Sequence, residues 1–133
     1  MKDIGANITK CIQKGTTLNC IDNSGAKKLK MISVKSFKGR RRRLPKAGVG
    51  DIIMCSVIKG KEKIRHEVVH AVVVRQNKEY TRANGRRVQF EDNAAVVVNP
   101  TTHDPEGTEI KSAVAKEAVL RFTTIGKIST IVV

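Results

Sequence analysis

Val68-Val69-His70-Ala71-Val72-Val73-Val74 is the stretch of sequence that decides the fold. It is short, it is apolar except for one histidine, and most of its side chains branch at the β-carbon, which together favour a buried strand over a helix. The runs on either side of it, Ile52 to Ile58 and Ala94 to Val98, have the same character. The centre of the chain is therefore predicted to be a set of buried β-strands.

Turn residues separate these runs from further strands. Asn84-Gly85 lies between Tyr80-Thr81-Arg82 and Arg87-Val88-Gln89-Phe90, which is a strong hairpin signal. Nearer the N-terminus, Thr17 to Ile21 alternates apolar and polar residues. That run ends at Asp22-Asn23-Ser24-Gly25, where aspartate opens a turn and glycine can take a positive φ.

The next segment, Lys27 to Phe37, changes its phase of alternation. Leu29 and Met31 follow one phase, whereas Ile32 and Val34 follow the other, so we expect a bulge, which bends a strand as barrels require. Five or six short strands with regular turns indicate a mainly β fold. We predict a small five-stranded antiparallel β-barrel, whose closure removes exposed strand edges.

The pattern changes after Pro105. Ser112 is a candidate N-cap for a short helix that runs to about Phe122 and places Val114, Ala118 and Phe122 on one stripe.

Within that helix, Glu117 and Arg121 have the i,i+4 spacing of a favourable ion pair. We expect one domain over residues 1–133, with the barrel over about 17–99 and a C-terminal helical segment over about 105–133.

The charge balance points to a polyanionic partner. There are 26 Lys+Arg against 12 Asp+Glu, which gives a net charge of +14, and neutralising phosphates releases their condensed counterions. Between Ala26 and Arg65, 14 basic residues face two acids, whereas four of each lie between Asn99 and Val133. The region from Ala26 to Arg65 therefore suits phosphate binding, whereas the region from Asn99 to Val133 suits packing or a protein partner. A soluble basic protein with a solvated surface is the alternative.

The segment from Lys38 to Asp51 joins two predicted strands and holds the four consecutive arginines Arg40 to Arg43, which cannot pack in a core. As a β-ribbon or loop arm it would project on the order of 20 Å, at about 3.3 Å per residue. Arginine grips phosphate with two planar hydrogen bonds, and Gly48 and Gly50 would let the backbone approach a partner. We predict phosphate contact here; a solvated loop or a localisation signal is the alternative.

Two further sets of basic residues flank predicted turns, Lys27, Lys28 and Lys30 in one and Arg82, Arg86 and Arg87 in the other. Loops on a rigid scaffold often carry binding residues, although such charges also serve solubility. The chain has three Phe, one Tyr and no Trp, too few for stacking on single-stranded bases. Docking on folded RNA by shape and phosphate is therefore the preferred mode.

His66-Glu67-Val68-Val69-His70 matches the zinc-protease pattern H-E-x-x-H. That chemistry needs a helix, but this segment opens a predicted strand, where residues four apart lie about 13 Å from each other. His103 is not a convincing third ligand, so a zinc hydrolase is disfavoured. We expect no enzyme activity, no cofactor, no metal and no small-molecule substrate.

The three cysteines, Cys11, Cys20 and Cys55, show no metal or redox spacing and fit a reducing compartment as buried small residues. The first seven residues lack the apolar run of a signal peptide, and no stretch approaches a membrane span. We expect a cytoplasmic protein without a membrane partner.

Several ordered motifs resemble one family. Ala71-Val72-Val73-Val74, nine residues, Asn84-Gly85, then Phe90, Asn93 and Val96-Val97 have the spacing of the signature of large ribosomal subunit protein fourteen, and Asp22-Asn23-Ser24-Gly25-Ala26-Lys27 and Ala47-Gly48-Val49-Gly50-Asp51 are similar to its other motifs. The resemblance extends from about Leu18 to Val133. The N-terminal extension Met1 to Gly15 and the four arginines resemble the archaeal and eukaryotic branch.

The resemblance implies a structural constituent of the large ribosomal subunit that docks on large-subunit rRNA and helps to form an intersubunit bridge with small-subunit rRNA. Implied neighbours are large ribosomal subunit protein three, a second small ribosomal protein and the factors that block premature subunit joining. Asn23, Ser24, Gly25, Lys27, Gly48 and Gly50 match family motifs, whereas contact through Arg40 to Arg43 is inferred from charge. A generic nucleic-acid-binding barrel outside the ribosome is the competing interpretation.

Taken together, the predicted rRNA-binding residues are Asn23, Ser24, Gly25, Lys27, Lys28, Lys30, Lys38, Arg40, Arg41, Arg42, Arg43, Lys46, Gly48, Gly50, Arg82, Arg86 and Arg87.

Overall fold

The computed structural model describes residues 3–133; Met1 and Lys2, the start of the predicted N-terminal extension, lie outside the described residues. The strands are β1 (Ala6–Asn7), β2 (Ile12–Gln13), β3 (Thr17–Cys20), β4 (Ala26–Val34), β5 (Lys46–Ala47), β6 (Ile52–Gly60), β7 (Val68–Arg75), β8 (Tyr80–Arg82), β9 (Arg87–Val88), β10 (Ala94–Val98), β11 (Ile110–Val114) and β12 (Ser129–Val132). The helices are α1 (Lys116–Arg121) and α2 (Thr123–Ile128). No helix within residues 3–133 is long and apolar enough to cross a bilayer.

Five strands close into a barrel in the order β10-β3-β4-β6-β7, which confirms the predicted five-stranded β-barrel. Four of its neighbouring pairs are antiparallel, and the closing pair β10–β3 is parallel. An odd number of strands cannot alternate direction all the way around a ring, so one parallel pair is unavoidable. Closure pairs the strand edges that an open sheet would expose.

The unbroken apolar runs of β7 and β10 arise because both faces of these strands are buried. Ala71 and Val73 point into the barrel, where they share a core with Leu29. Val72 and Val74 point outward into a second core that includes Ile125 of α2. A strand buried on both faces loses the alternation of a half-exposed strand.

The predicted bulge in the segment from Lys27 to Phe37 is confirmed. The pairing of β4 with β6 shifts register between Met31 and Ser33, where the apolar phase of the sequence changes. The predicted turn before β4 is also present, and Gly25 has a φ of +110°, which glycine adopts without a Cβ clash.

The hairpin around Asn84-Gly85 is present but stands outside the barrel. Strands β8 and β9 pair with each other and β8 pairs with β1, which makes a separate three-stranded sheet. Its loop closes with a hydrogen bond from the Arg82 N–H to the Arg86 carbonyl at 2.8 Å, and Gly85 has a φ of +83°.

The predicted start of the C-terminal helix is wrong. Ser112 lies in β11, which pairs in parallel with β12, and α1 begins after Ala115 without a side-chain cap. Pairing with a strand that follows both helices overrides the local capping signal. The short C-terminal helices themselves are confirmed, and the residues of the predicted stripe, Val114, Ala118 and Phe122, are buried.

The predicted ion pair between Glu117 and Arg121 is also wrong, because the two side chains have other partners. Glu117 pairs with Arg82, and Arg121 pairs with Asp51. The i,i+4 spacing within the helix is therefore less important here than the oppositely charged residues that the fold brings close from distant parts of the sequence.

Candidate nucleic-acid interface

The segment between β4 and β5 is an exposed loop, which together with the first residue of β5 we call the arm (residues 35–46). It leaves β4 through a turn at Ser36, whose φ is 62°, and it reverses where the Arg43 N–H bonds the Arg40 carbonyl at 3.0 Å. Arg42 has a φ of 67° in that turn, a left-handed conformation that is uncommon for residues other than glycine. The four arginines therefore surround a tight reversal of the chain.

Apart from Lys35, whose Nζ donates to the Pro100 carbonyl at 3.1 Å and contacts His103 Nε2 at 2.7 Å, the cations of the arm are exposed and unpaired. Within residues 3–133, none of them takes part in an ion pair or a side-chain hydrogen bond; they are Lys38, Arg40, Arg41, Arg42, Arg43 and Lys46. By contrast, Arg75 pairs with Asp92 at 3.0 Å and Arg121 with Asp51 at 3.6 Å. Arg75 and Arg121 therefore form ion pairs within the fold, whereas the arginines of the arm are available to bind an anion.

Gly48 and Gly50 are buried at the base of the arm, so the structure does not place them on an open RNA-facing surface as predicted. A Cβ on Gly48 would lie 2.6 Å from Ile8 Cγ2, and one on Gly50 would lie 2.6 Å from Ile4 Cδ1. The close backbone approach that these glycines allow is made by the chain's own N-terminal segment. Pairing of β2 with β5 extends the same contact.

Asn23 and Ser24 are also engaged within the chain. The Asn23 amide donates to Thr108 Oγ1 at 2.8 Å and its oxygen accepts the Thr108 N–H at 2.7 Å. The Ser24 hydroxyl donates to Asp22 Oδ1 at 2.8 Å, and Asp22 Oδ2 accepts the Val97 N–H at 3.1 Å. These contacts tie the turn, which includes the half-buried Gly25, to β10 and to the loop before β11, so the turn is primarily structural.

The lysines of β4 follow the strand's alternation. Lys28 and Lys30 are exposed, whereas Leu29 and Met31 between and after them are buried. Lys27 is exposed at the start of the strand. Lys27 and Lys28 lie at the end of β4 that is remote from the arm, and Lys30 lies at the middle of the strand.

The arginines of the hairpin divide into two kinds. Arg86 and Arg87 are exposed, and Arg87 makes a surface ion pair with Glu79 at 3.0 Å. Arg82 instead donates to Glu117 Oε1 at 2.6 Å and to the Val133 carbonyl at 2.7 Å. The prediction that Arg82 contacts RNA is therefore not supported by its position, because its guanidinium is committed to the C-terminal segment.

Burial and charge shift the titration of this network. Burial by itself raises the pKa of Glu117, but hydrogen bonds from Arg82 and Tyr80 outweigh it, and the pKa lies below its ordinary value of 4.5. Burial, followed by the Glu117 carboxylate, raises the pKa of Tyr80. The hydrogen bond to Glu117 raises the pKa of Arg82.

The H-E-x-x-H residues do not form a zinc site. His66 occupies the turn before β7 with a φ of 66°, and His70 lies on β7, so the two do not share a helix face. Within the described residues no group of three or more His, Cys, Asp or Glu side chains is arranged to hold a metal.

The cysteines are free thiols. Burial raises the pKa of Cys55 to about 12. Burial, together with Asp22, raises the pKa of Cys20 to about 12. The thiols of Cys20 and Cys55 therefore stay protonated. Cys55 is buried as predicted, whereas Cys11 and Cys20 are only partly buried and pack against the barrel core.

Sequence reasoning did not include one exposed basic group among the predicted binding residues. Lys59, Lys61, Lys63 and Arg65 lie at the end of β6 and in the turn that leads to β7, and all are exposed. Their charge is visible in the sequence, but the position of Lys59 opposite Lys28 depends on the register of β4 and β6.

The protein is a closed β-barrel with unpaired cations on its loops, whereas Arg75, Arg82 and Arg121 form ion pairs within the fold. These features define a class of basic scaffold proteins that dock on polyanions. Within that class the comparisons with known proteins are specific. The chain belongs to the family described as ribosomal protein L14p/L23e, whose family model matches residues 11–133.

Similar proteins carry the description large ribosomal subunit protein uL14. One from Haloarcula marismortui is 47% identical over 133 residues, which is 100% of both chains. Another from Methanococcus vannielii is 47% identical over 132 residues, 99% of both chains, and one from Halorubrum lacusprofundi is 47% identical over 100% of both. These organisms are archaea, in agreement with the predicted branch.

Family membership makes the chain a structural, non-enzymatic constituent of the large ribosomal subunit, associated with rRNA in the cytoplasmic ribosome. The predicted family and the prediction that the protein is not an enzyme are thereby confirmed.

Proposed function

We propose that the chain anchors large-subunit rRNA through the arm and contributes to an intersubunit bridge with small-subunit rRNA. The observation that carries this proposal is the contrast between six exposed arm cations without internal partners and three partly buried arginines elsewhere, Arg75, Arg82 and Arg121, that are paired with carboxylates. A cation that the fold does not use internally is free to neutralise phosphate. Lys27, Lys28, Lys30, Arg86 and Arg87 supplement the arm.

The energetics of such a contact are dominated by counterion release. Each phosphate that a cation neutralises contributes about −0.7 to −0.9 to the slope of log affinity against log salt. Six to ten phosphate contacts lower affinity by about 10³ to 10⁵ between 50 and 200 mM salt. The arm alone therefore supplies enough cations for tight, salt-sensitive docking.

Recognition by shape and phosphate fits the placement of the aromatic residues. Tyr80 is 1% exposed and Phe122 is 7% exposed, so neither offers a face to a base. Phe37, at 38%, is the exposed large aromatic side chain of the described residues. One exposed ring does not form a stacking platform for successive bases, which favours folded RNA as the ligand.

The protein neighbours belong to the C-terminal side of the molecule. Leu120, Ile131, Val132 and Val133 are large apolar residues with about half of their surface exposed (52%, 51%, 46% and 48%), in a region with balanced charge. An apolar surface without excess cations suits protein contact. We propose this side for large ribosomal subunit protein three, for the second small ribosomal protein, or for the factor that blocks subunit joining.

Footprinting on purified large-subunit rRNA tests the arm. The arm triple variant (Arg40→Gln, Arg41→Gln and Arg43→Gln) is compared with a control triple variant (Lys111→Gln, Lys116→Gln and Lys127→Gln), which removes the same charge from exposed C-terminal positions. We expect the arm variant to lose part of the backbone protection and the control to retain it. Full protection by the arm variant would contradict the proposal.

Subunit joining tests the bridge. Large subunits that carry the arm triple variant, or a variant of the exposed hairpin residues Arg86 and Arg87, are mixed with small subunits and sedimented. If the chain contributes to the bridge, one of these variants associates at a higher magnesium concentration than the wild type. Unchanged association of both variants would contradict the proposed bridge but would not bear on the proposed anchoring of rRNA.

A further inference from the structure

The first residue of the arm is fastened to the rest of the fold. Lys35 Nζ donates to the Pro100 carbonyl at 3.1 Å and contacts His103 Nε2 at 2.7 Å. A lysine ammonium carries donors only, so His103 Nε2 is the acceptor. The Lys35 N–H also donates to the Ile52 carbonyl at 2.9 Å, which fixes the backbone at the same point. We call the contacts of Lys35 with Pro100 and His103 the entry clasp.

The loop that carries His103 connects the entry clasp to the C-terminal helices. The His103 N–H donates to the Asn99 carbonyl at 3.0 Å, and the Asn99 N–H donates to the Asp104 carbonyl at 2.8 Å, so the loop is closed by its own backbone. The His103 ring stands edge-on to Phe122, with ring centroids 6.4 Å apart and an interplanar angle of 85°. This is a favourable geometry for two aromatic rings. The entry clasp therefore ends on Phe122, which is buried.

The chain that leaves the arm is fastened to the residue next to Phe122. Arg121 Nη1 donates to the Gly50 carbonyl at 3.2 Å and lies 3.6 Å from Asp51 Oδ1. The Asp51 carboxylate also accepts the Gly48 N–H at 2.9 Å. The Arg121 and Asp51 side chains are 14% and 15% exposed, so solvent screens this pair less than a surface pair. We call the contacts of Arg121 with Gly50 and Asp51 the exit clasp.

The two clasps converge on the junction of the two helices. Arg121 is the last residue of α1, and Phe122 lies between α1 and α2. At its exit the arm also pairs with β2 through Lys46. Between its ends, the cations from Lys38 to Arg43 have no ion pair or side-chain hydrogen bond within residues 3–133. The direction of this exposed loop is therefore set where it enters and leaves the fold.

We propose that the junction of α1 and α2 is a brace for the arm, and that His103 and Arg121 are positioning residues for rRNA binding. This inference rests on the proposed function, in which the arm cations neutralise phosphate. His103 acts through Lys35, and Arg121 acts through Gly50 and Asp51. A braced arm binds without the entropic cost of ordering a mobile loop. Opening a clasp should therefore weaken affinity, whereas the salt slope, which reports the number of neutralised phosphates, should stay the same.

Two substitutions open the clasps and leave every arm residue in place. His103→Asn withdraws the Nε2 acceptor, and asparagine tolerates the positive φ of 61° at this position. Arg121→Met removes the donors of the exit clasp and keeps an apolar stem. Arg75→Met is the matched control, because Arg75 is 13% exposed, pairs with Asp92 at 3.0 Å and donates to the Ala113 carbonyl at 3.4 Å. Both partners of Arg75 lie outside the arm.

Two measurements on the full chain test the brace. Backbone order parameters from nitrogen relaxation report the rigidity of residues 36–45 directly, without RNA. We expect lower values in His103→Asn and Arg121→Met than in the wild type and Arg75→Met. Affinity for large-subunit rRNA should fall by roughly 3- to 10-fold in the two clasp variants, which corresponds to the ordering of one or two side chains. Their salt slope should equal that of the wild type, and Arg75→Met should retain both affinity and slope.

The outcomes separate the brace from the proposed function. Unchanged order parameters in both clasp variants would overturn the brace, and so would an equal loss of arm order in Arg75→Met, since general destabilisation would then be the cause. If the proposed function fails, the arm triple variant keeps the wild-type salt slope, whatever the order parameters of the clasp variants. If the arm triple variant has a shallower slope but the loosened arms bind rRNA with wild-type affinity, the clasps do not position the arm for RNA.

Discussion

The Tyr80 hydroxyl donates a hydrogen bond of 2.7 Å to Glu117 Oε2, and both side chains are buried. The other carboxylate oxygen of Glu117 accepts from Arg82 Nε at 2.6 Å. Arg82 Nη2 also donates to Glu117 Oε2 at 3.3 Å, so three charge-assisted hydrogen bonds join the first turn of α1 to the hairpin strand β8. This network explains why Arg82, alone among the hairpin arginines, is a structural residue.

Replacing Glu117 by alanine should lower the free energy of unfolding by about 2–4 kcal/mol, because it leaves a partly buried guanidinium and a buried hydroxyl without their acceptor. Urea denaturation followed by circular dichroism measures the change. Glu79→Ala is the matched control, since its pair with Arg87 is exposed and contributes at most about 1 kcal/mol. Equal effects of the two substitutions would show that the network does not stabilise the fold.

The same carboxylate predicts a dependence of stability on pH. The pKa of Glu117 is lowered in the folded protein from 4.5, so below that pH the unfolded chain binds a proton that the folded chain resists. Its stabilising contribution is therefore complete above pH 4.5 and is lost as the pH falls through the folded-state pKa. Glu117→Gln should be less stable at neutral pH and show a shallower loss of stability in acid. If the wild type and Glu117→Gln lose stability in parallel as the pH falls, Glu117 is not the source of this pH dependence.

Gly48→Ala should destabilise the protein by about 1–3 kcal/mol, because the new methyl group overlaps a packed side chain. Its Cβ would lie 2.6 Å from Ile8 Cγ2, so truncating that side chain should relieve the overlap. The double variant Ile8→Ala/Gly48→Ala is expected to be less destabilised than the sum of the two single variants. Additive effects in urea denaturation would mean that residue 8 does not pack on this glycine.

Lys59 is the register partner of Lys28, which lies between two irregularities of the β4–β6 pairing. Lys59→Gln should therefore raise the free energy of unfolding by about 0.2–1 kcal/mol at low salt, since like charges opposite each other across strands are destabilising. The gain should shrink at 1 M salt, where the screening length is about 3 Å. Lys63→Gln is the control, because it lies in the turn and has no partner in the register of β4 and β6. A gain that is the same for both variants, or that persists in high salt, would argue against repulsion between Lys28 and Lys59.

Much of the barrel was predictable because its signals are local. The β-branched runs of β6, β7 and β10 mark strands through their composition, and the phase change after Met31 marks a bulge through alternation. The motif residues at 22–27 and 47–51 and the signature around Asn84-Gly85 are sufficient to identify the family from the sequence.

The parts that could not be predicted depend on contacts between distant residues. Ser112 carries a capping signal, but β12 recruits its segment into a sheet. Arg82 and Arg86 look equivalent in the sequence, and only the approach of Glu117, 35 residues from Arg82, separates the tied arginine from the exposed one. Gly48 and Gly50 resemble an RNA-facing loop until the N-terminal segment is seen to cover them. Likewise, Lys28 and Lys59 become neighbours only through the register of β4 and β6.

In the proposed function, the unpaired arginines of the arm neutralise rRNA phosphates. The most direct measurement is the affinity for large-subunit rRNA as a function of salt, for the wild type, the arm triple variant and the control triple variant. We predict a slope of log affinity against log salt that is shallower by about 2–3 for the arm variant, at roughly 0.7–0.9 for each phosphate that is no longer neutralised. The control variant should match the wild type. A slope for the arm variant equal to that of the wild type, or an equally shallow slope for the control, would contradict this role of the arm.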